Sequence, residues 1–247
     1  MRYSLSIIAI FLTLLCASCE DKNSSQKNAA ENVADKMKEN DSAAIETAEN
    51  YAEEEEEQQT VLGEAYPIPQ EELIPFLTQY GKENPENRVR IITSFGDIEV
   101  TLFRDTALHR ANFIMLVKNG YFDNTYFHRV APGFVIQGGN SDNEATYEMR
   151  QDVGNYLIPS EFEAGHKHAY GAFSAAKYSE QNVSKASSPF EFFIVVDKGG
   201  SPHLNNDHTV FGRVTSGMDV AEKIAQVETG QSEWPIDNVQ IDVEIIE

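Results

Sequence analysis

The sequence is poor in cysteine, and its two cysteines lie near the start, at positions 16 and 19. From residue 20 onwards, no thiol is present to form a disulfide, act as a nucleophile or bind zinc. Basic residues are also scarce: 19 Lys and Arg stand against 40 Asp and Glu, and the formal net charge is −21. Because nucleic-acid binding depends on neutralising phosphates with Lys and Arg, this charge argues against a nucleic-acid partner and favours a peptide or protein.

The N-terminal apolar stretch is too short to span a bilayer. It runs over Ile7–Cys16 after the positively charged Arg2, whereas a transmembrane helix needs roughly 20 apolar residues. A short apolar core after a positive start is typical of a secretory signal. We therefore expect a lipoprotein-type signal peptide over residues 1–19.

The end of this signal, Cys-Ala-Ser-Cys over residues 16–19, resembles a bacterial lipobox. The resemblance implies that Cys19 is lipidated and anchors the protein to a membrane. Cys16 stands where the pattern usually has Leu or Val, and the alternative is an ordinary cleaved signal with an incidental cysteine. We expect lipidation, because a lone exposed thiol would be a liability after export. The expected location is the bacterial cell envelope, on the periplasmic or outer-membrane side.

Two segments separate the signal from the main domain. Residues 20–65 are rich in acidic and small polar residues, including the run Glu53–Glu57, and such a composition cannot bury enough apolar surface to offset the entropy of ordering. We expect a disordered acidic linker there. Residues 66–87 form an N-terminal extension whose four prolines break any long element. Within it, Glu71–Tyr80 is predicted to form a short helix packed on the domain, which occupies 88–247.

Short periodic segments dominate the domain. Apolar alternation and β-favouring residues predict strands over Val89–Ile92, Ile98–Leu102, Tyr126–Val130, Phe134–Gln137, Phe192–Val196, Thr209–Val214 and Val239–Ile245. Helices are predicted over Ala107–Asn119, with Asp105 or Thr106 as the cap, and over Met218–Val227. Many short strands with only two helices predict an all-β barrel.

The run Phe127–Gly139 combines one arginine, one glutamine and two phenylalanines with a proline–glycine turn. It closely resembles the signature of the cyclophilins, a family of peptidyl-prolyl cis–trans isomerases. Further landmarks of that family follow in the expected order at Asn112–Phe113, Gly120–Phe122, Ser160–Phe162, Gly171–Ser174, Phe192–Ile194 and Val210–Val214. The resemblance covers roughly Arg88–Glu247. It implies a mainly β fold, a closed eight-stranded antiparallel β-barrel capped by two α-helices.

The resemblance also implies roles for individual residues. Arg129 matches the catalytic arginine, and Gln137 matches the glutamine that orients it and binds the substrate backbone. The other expected substrate-binding residues that match the family are Phe134, Val135, Ala176, Phe193, Leu204 and His208. Taken alone, Arg129 would be read as a surface strand arginine in a salt bridge, and the apolar residues as ordinary core packing.

Three expected substrate-binding residues depart from the family pattern. His203 stands where many members carry Trp or Phe, which implies weak inhibition by cyclosporin. Lys177 replaces an asparagine that hydrogen-bonds the substrate, and Glu191 replaces a glutamine. Because opposite charges attract strongly when desolvated, Glu191 could pair with Arg129, either holding it or competing with substrate. We expect a Glu191→Gln variant to be equally active or more active.

Residues outside the signature run give expectations about substrate entry, metal binding and oligomeric state. Residues 141–157 are predicted to form a polar loop that influences which substrates enter. Four histidines (His166, His168, His203 and His208) occur without cysteines or a tight motif, whereas zinc sites need three or four convergent ligands. We therefore expect no metal and no cofactor. No coiled-coil heptads occur, and we expect a monomer.

The leading interpretation is an exported peptidyl-prolyl isomerase that binds proline-containing segments of unfolded or partly folded proteins and assists folding in the envelope. Proline isomerisation is slow enough to limit folding rates, so the role is physically sensible. Two alternatives remain open. One is a proline-peptide-binding module or chaperone with weak or no isomerase activity, and the other is a structural barrel that presents a surface to an envelope complex.

Overall fold

The computed structural model describes residues 66–178 and 184–247. The predicted signal, the linker and Cys19 lie outside these described residues. The described residues contain eight strands: β1 Arg88–Thr93, β2 Gly96–Leu102, β3 Thr125–Ala131, β4 Val135–Asn140, β5 Ala172–Ala175, β6 Phe192–Val195, β7 Val210–Ser216 and β8 Gln240–Ile245. Their four α-helices, counted over the same two ranges, are α1 Leu73–Glu83, α2 Ala107–Lys118, α3 Glu144–Val153 and α4 Met218–Ile224.

The strands close into one antiparallel barrel in the order β1-β2-β7-β5-β6-β4-β3-β8. Closure pairs every strand on both sides, which removes the exposed edges of an open sheet. Large apolar side chains fill the interior, and aromatic rings such as Phe113, Phe173 and Phe192 contact one another there. The closed eight-stranded barrel expected from the family resemblance is confirmed.

One helix was not expected. The segment predicted to be a polar loop contains α3, so that prediction was wrong. The helix begins after Asn143, and Glu144 lies in its first turn, where an acidic side chain interacts favourably with the helix dipole. Thr146 and Val153 face the protein interior. The helix therefore exposes a mainly polar surface, which is why its composition looked like that of a loop.

Thr106 is the N-cap residue of α2, as predicted, but its side chain is not what caps the helix. Thr106 makes no side-chain cap hydrogen bond. Instead Glu161, more than fifty residues later in the chain, accepts hydrogen bonds from the backbone N–H groups of Leu108 and His109 at 3.0 Å each. A carboxylate at this end satisfies donors that have no partner within the helix and complements the helix dipole. The cap is long-range, so local sequence could not reveal it.

The N-terminal extension packs on the barrel, as expected. Leu73 and Leu77 of α1 are fully buried in the core. Arg110 of α2 donates hydrogen bonds to backbone carbonyls of Gly81, Asn84 and Glu86. Those carbonyls lie at and beyond the C-terminal end of α1, where helical partners are missing, so Arg110 ties the extension to the domain.

No helix within 66–178 and 184–247 has both the length and the apolar character needed to cross a bilayer.

Candidate active site

The outer face of the barrel carries a second apolar cluster. Side chains alternate between the two faces of a strand, and in β6 Phe192 and Ile194 join the interior core while Phe193 and Val195 join the outer cluster. Val135 of β4 lies in the same outer cluster, against Phe134 and other partly buried neighbours. The outer face of an antiparallel sheet is often polar and solvated, whereas here it carries buried apolar side chains.

A cavity of about 220 Å³ opens beside this cluster. It is lined by strand residues and by three loops that meet above them: Arg129, Phe134, Val135, Gln137, Ala176, Lys177, Phe193, Leu204 and His208. All nine are residues that the sequence analysis assigned to catalysis or substrate binding. The arrangement offers an apolar hollow with a guanidinium and an amide group at its wall.

Arg129 reaches the cavity from β3, directly opposite Gln137 of β4 in the strand pairing. A register shift between Phe127 and Arg129 marks a bulge, a device that redirects side chains beside functional sites. The Arg129 Nε donates to Glu233 Oε2 at 2.7 Å. Its two terminal Nη groups make no hydrogen bond with any residue that the structure describes, so they remain available as donors.

Glu233 holds Arg129 from a turn that sequence reasoning missed. Ser232 and Glu233 have φ values of 66° and 61°, in the left-handed region that non-glycine residues rarely adopt. The turn closes on itself, because Gly230 N donates to Trp234 O at 2.8 Å and Thr229 pairs with Pro235. A salt bridge this exposed adds little stability; its effect is to hold one side of the guanidinium.

The pairing of Glu191 with Arg129 considered from the sequence does not occur. Glu191 lies behind the cavity, where its Oε2 accepts a hydrogen bond from Gln137 Nε2 at 2.9 Å. Its Oε1 lies 3.2 Å from Arg150 Nη2, and its Oε2 lies 3.5 Å from His128 Nε2. Burial alone would raise the pKa of this carboxyl, but His128 and Arg150 outweigh burial and lower it.

Gln137 is therefore held by Glu191, and no described hydrogen bond joins it to Arg129. The residue is in the expected place at the wall of the cavity. Since its Nε2 donates to a carboxylate, the amide orientation is defined and its Oε1 acceptor stays free of that bond. The expected role of Gln137 in orienting Arg129 stays a prediction.

Lys177 lies at the wall of the cavity with only 4% of its side chain exposed. Its Nζ is 2.9 Å from Asp207 Oδ1. The ammonium of Lys177 lowers the pKa of Asp207, and nearby His208 and Lys185 add to the effect. The ammonium is thus already paired, and the side chain presents mainly its hydrocarbon stem to the cavity.

Comparison with known proteins identifies the family. Residues 88–245 match the family model described as cyclophilin type peptidyl-prolyl cis-trans isomerase. The chain belongs to the cyclophilins. As a member of that family it is a peptidyl-prolyl cis–trans isomerase.

Relatives of this cyclophilin include bacterial and fungal proteins. A peptidyl-prolyl cis-trans isomerase A of Dickeya dadantii is 37% identical over 61% of this chain and 77% of its own length. A putative isomerase of Staphylococcus saprophyticus is 30% identical over 69% of this chain and all of its own length. An isomerase-like protein of Rhizopus delemar is 35% identical over 66% of this chain, but the match spans only 29% of that longer protein.

The similar solved structures are also cyclophilins. A cyclophilin-type isomerase of Cryptosporidium parvum, crystallised in the presence of the dipeptide Ala-Pro, is 28% identical and has a TM-score of 0.54. The match covers 65% of this chain and 99% of that one. A cyclophilin of Hirschia baltica, at 20% identity and a TM-score of 0.52 over 68% of this chain and 79% of its own, shares the fold.

Two expected substrate-binding residues do not line the cavity of this cyclophilin. Glu191 lies behind Gln137, as described. His203 is exposed, and its ring stacks on Phe134 with centroids 5.4 Å apart, so it extends the rim. An imidazole offers less apolar surface there than an indole, and weak cyclosporin inhibition stays a prediction.

No group of three or more His, Cys, Asp or Glu side chains is placed to hold a metal ion within the part of the cyclophilin that the structure describes. His168 is buried and pairs with Asn205 and Ser174 at 3.0 Å each. Burial is the main reason that the pKa of His168 is lowered. Its contacts are those of a structural side chain.

His208 gives a prediction about pH. Burial lowers the pKa of His208 from 6.5 to about 4, despite its hydrogen bond to the Ala175 carbonyl. Because the folded-state pKa lies below that of the unfolded chain, the unfolded state takes up the proton first as the pH falls. Stability should therefore drop between about pH 6.5 and pH 4, by at most about 1.4 kcal/mol per pH unit from this group.

Urea unfolding at pH 4, 5, 6 and 7 checks this expectation. The His208→Asn variant should lose that share of the pH dependence, so its free energy of unfolding should fall less steeply than that of the wild type over this interval. Identical slopes for the two proteins would contradict a neutral, buried His208.

Proposed function

We propose that this cyclophilin isomerises X-Pro bonds in proline-containing segments of unfolded or partly folded proteins, with Arg129 as the catalytic residue. The observation that supports the proposal is the placement of the free Nη groups of Arg129 at the wall of an apolar cavity with Phe134 and Phe193. The Cryptosporidium relative crystallised in the presence of Ala-Pro supports a proline peptide as the occupant of that cavity.

The chemistry required is modest. Rotation about the prolyl amide is opposed by resonance, with a barrier of about 20 kcal/mol. As the bond twists, conjugation is lost and the prolyl nitrogen gains a lone pair that accepts a hydrogen bond. A guanidinium that is always charged and held from behind by Glu233 is a suitable donor to that nitrogen. Binding the twisted form better than either planar form is what accelerates the rotation.

The cavity supplies the other half of the mechanism. Phe134, Phe193 and Leu204 offer apolar walls for the proline ring, and burying that ring holds the C-terminal side of the bond in place. The amide of Gln137 is held by Glu191, and in this proposal it binds the substrate backbone. Rotation then takes place on the N-terminal side, and no proton or covalent intermediate is needed.

An isomerisation assay tests this function. The purified protein, added to a chromogenic proline peptide or to a protein whose refolding is limited by proline, should raise the rate in proportion to enzyme concentration. Peptide binding without any increase in rate would instead favour the binding-module alternative.

We further propose that the enzyme acts in the bacterial cell envelope, tethered through a lipid on Cys19. The support is in the sequence alone: a short apolar signal that ends in Cys-Ala-Ser-Cys, followed by an acidic linker. Wild type should fractionate with membranes and incorporate a labelled fatty acid. The Cys19→Ala variant should lose the label and leave the membrane fraction; if it stays membrane-bound as before, the lipid anchor is wrong.

A further inference from the structure

Helix α3 places one arginine against the back of the cavity. Arg150 Nε donates to the Tyr121 hydroxyl at 2.8 Å, and its Nη2 donates to the Gly139 carbonyl at 3.2 Å and lies 3.2 Å from Glu191 Oε1. The guanidinium also lies over the Phe190 ring, 5.0 Å from its centroid. Four partners thus define the position of this side chain.

The carboxylate that Arg150 meets is itself largely shielded from water. The side chains of Arg150 and Glu191 are 18% and 13% exposed, so their attraction is screened less than at the surface. On its other oxygen, Glu191 accepts the amide hydrogen bond from Gln137. One carboxylate therefore links the helix to a residue that lines the cavity.

We infer that Arg150 is a positioning residue for the isomerase: it neutralises Glu191, so that this carboxylate holds Gln137 in place and leaves Arg129 free to face substrate. The inference rests on the proposed function, since it takes Arg129 as the catalytic group. Arg150 acts through Glu191 and does not itself line the cavity.

Removing the arginine would leave a buried carboxylate short of a cation, a costly state that the structure must relieve. His128 Nε2 lies 3.5 Å from the same carboxylate. Arg129, which lies opposite Gln137 in the strand pairing, is the other cation at hand. Drawing Arg129 towards Glu191 would take its Nη groups away from the prolyl nitrogen and would displace the Gln137 amide.

A four-protein comparison tests the inference: wild type, Arg150→Met, Glu191→Gln and the double variant. Arg150→Met should lower kcat about tenfold, because misplacing a catalytic group by a fraction of an ångström slows the reaction, with a smaller change in KM. Glu191→Gln keeps a side-chain oxygen that can accept from Gln137 and serves as the reference without the carboxylate. In the double variant the carboxylate is also gone, so its kcat should lie within about threefold of that of Glu191→Gln and well above that of Arg150→Met.

Stability is measured alongside, because the lost Tyr121 and Gly139 contacts lower Tm in both proteins that lack Arg150. Recovery of kcat without recovery of Tm separates positioning from folding. If Arg150→Met does not fold, Arg150→Lys replaces it in both the single and the double form, with the same rescue expected for whatever loss it shows. Arg213→Met, at an exposed position on β7, is the matched control and should not change kcat.

The inference is overturned if Arg150→Met keeps full kcat, or if the double variant is as slow as Arg150→Met. An inactive wild type would be a failure of the proposed function instead. In that case the affinity of the same four proteins for a proline peptide is measured. Arg150→Met should then bind more weakly than wild type, and the double variant should recover the affinity.

Discussion

Replacing Arg129 with alanine should lower kcat/KM for a proline peptide by about 100- to 1,000-fold, the usual effect of removing one donor that stabilises charge in a transition state. The loss should fall on kcat, because Arg129 acts on the twisted amide while Phe134 and Phe193 still bind the ring. A coupled peptide assay gives both constants. Stability should hardly change, since the salt bridge of Arg129 to Glu233 is partly exposed.

Two variants show whether the effect is specific. Arg213→Ala removes an exposed arginine from β7, outside the cavity lining, and should leave kcat/KM unchanged. Arg129→Lys keeps the charge but loses the planar fork of donors, and its activity should lie between those of wild type and Arg129→Ala. Unchanged activity in Arg129→Ala would remove Arg129 from the mechanism. Equal peptide binding by wild type and variant, with no rate enhancement by either, would favour the binding module.

Gly139→Ala should destabilise the fold by about 3 kcal/mol or more and lower Tm by roughly 6–12 °C. Gly139 has a φ of +94°, and an added Cβ would overlap the carbonyl oxygen of Phe190 and press on the Phe122 ring. Its own carbonyl accepts from Tyr121 and Arg150, so the backbone cannot shift without loosening those bonds. Thermal and urea unfolding measure the loss.

Gly165→Ala is the matched control. Gly165 also has a positive φ, +77°, but an added Cβ would meet nothing within 4 Å. This variant should show only the conformational cost of about 1 kcal/mol. If the two alanine variants were equally stable, the close approach of strand β4 to Phe190 would not be a constraint on the fold.

The sequence predicted most strands well because their faces differ. In β2 and β8 the burial alternates along the strand, and a period of two is visible in the sequence. Strand β5 was not predicted from periodicity, since all four residues of Ala172–Ala175 are buried. It has no exposed face, because its outer side is covered by the cluster beside the cavity and by His168, which bonds Ser174.

The missed helix α3 left a signal that was available. Asn143 and Glu144 form a helix start, and Gly154 stops the helix with a φ of 105°. Thr146 and Val153, seven residues apart, are its buried positions, which is helical spacing. Only two buried residues in ten make that pattern weak beside the polar majority.

The residues of the candidate site also include some that the sequence predicted and some that it did not. Residues on the signature run, such as Arg129 and Gln137, were found because the run resembles the cyclophilin signature. Glu233, which binds Arg129, was missed because it lies 104 residues away. Arg150, which binds Glu191, was missed because its helix was predicted to be a loop. Pairing between side chains far apart in the chain depends on how the barrel closes. A single sequence does not show which distant residues the closed barrel brings together.

The turn that carries Glu233 has a consequence for how this enzyme can diverge. The backbone hydrogen bonds of this turn join residues of the turn to one another. The Glu233 side chain contacts the guanidinium of Arg129. Substitutions at Ser232 or Glu233 can therefore change what restrains Arg129 while the interior packing stays intact. Substitutions in this turn can therefore change the turnover rate in small steps while the stability of the barrel is retained.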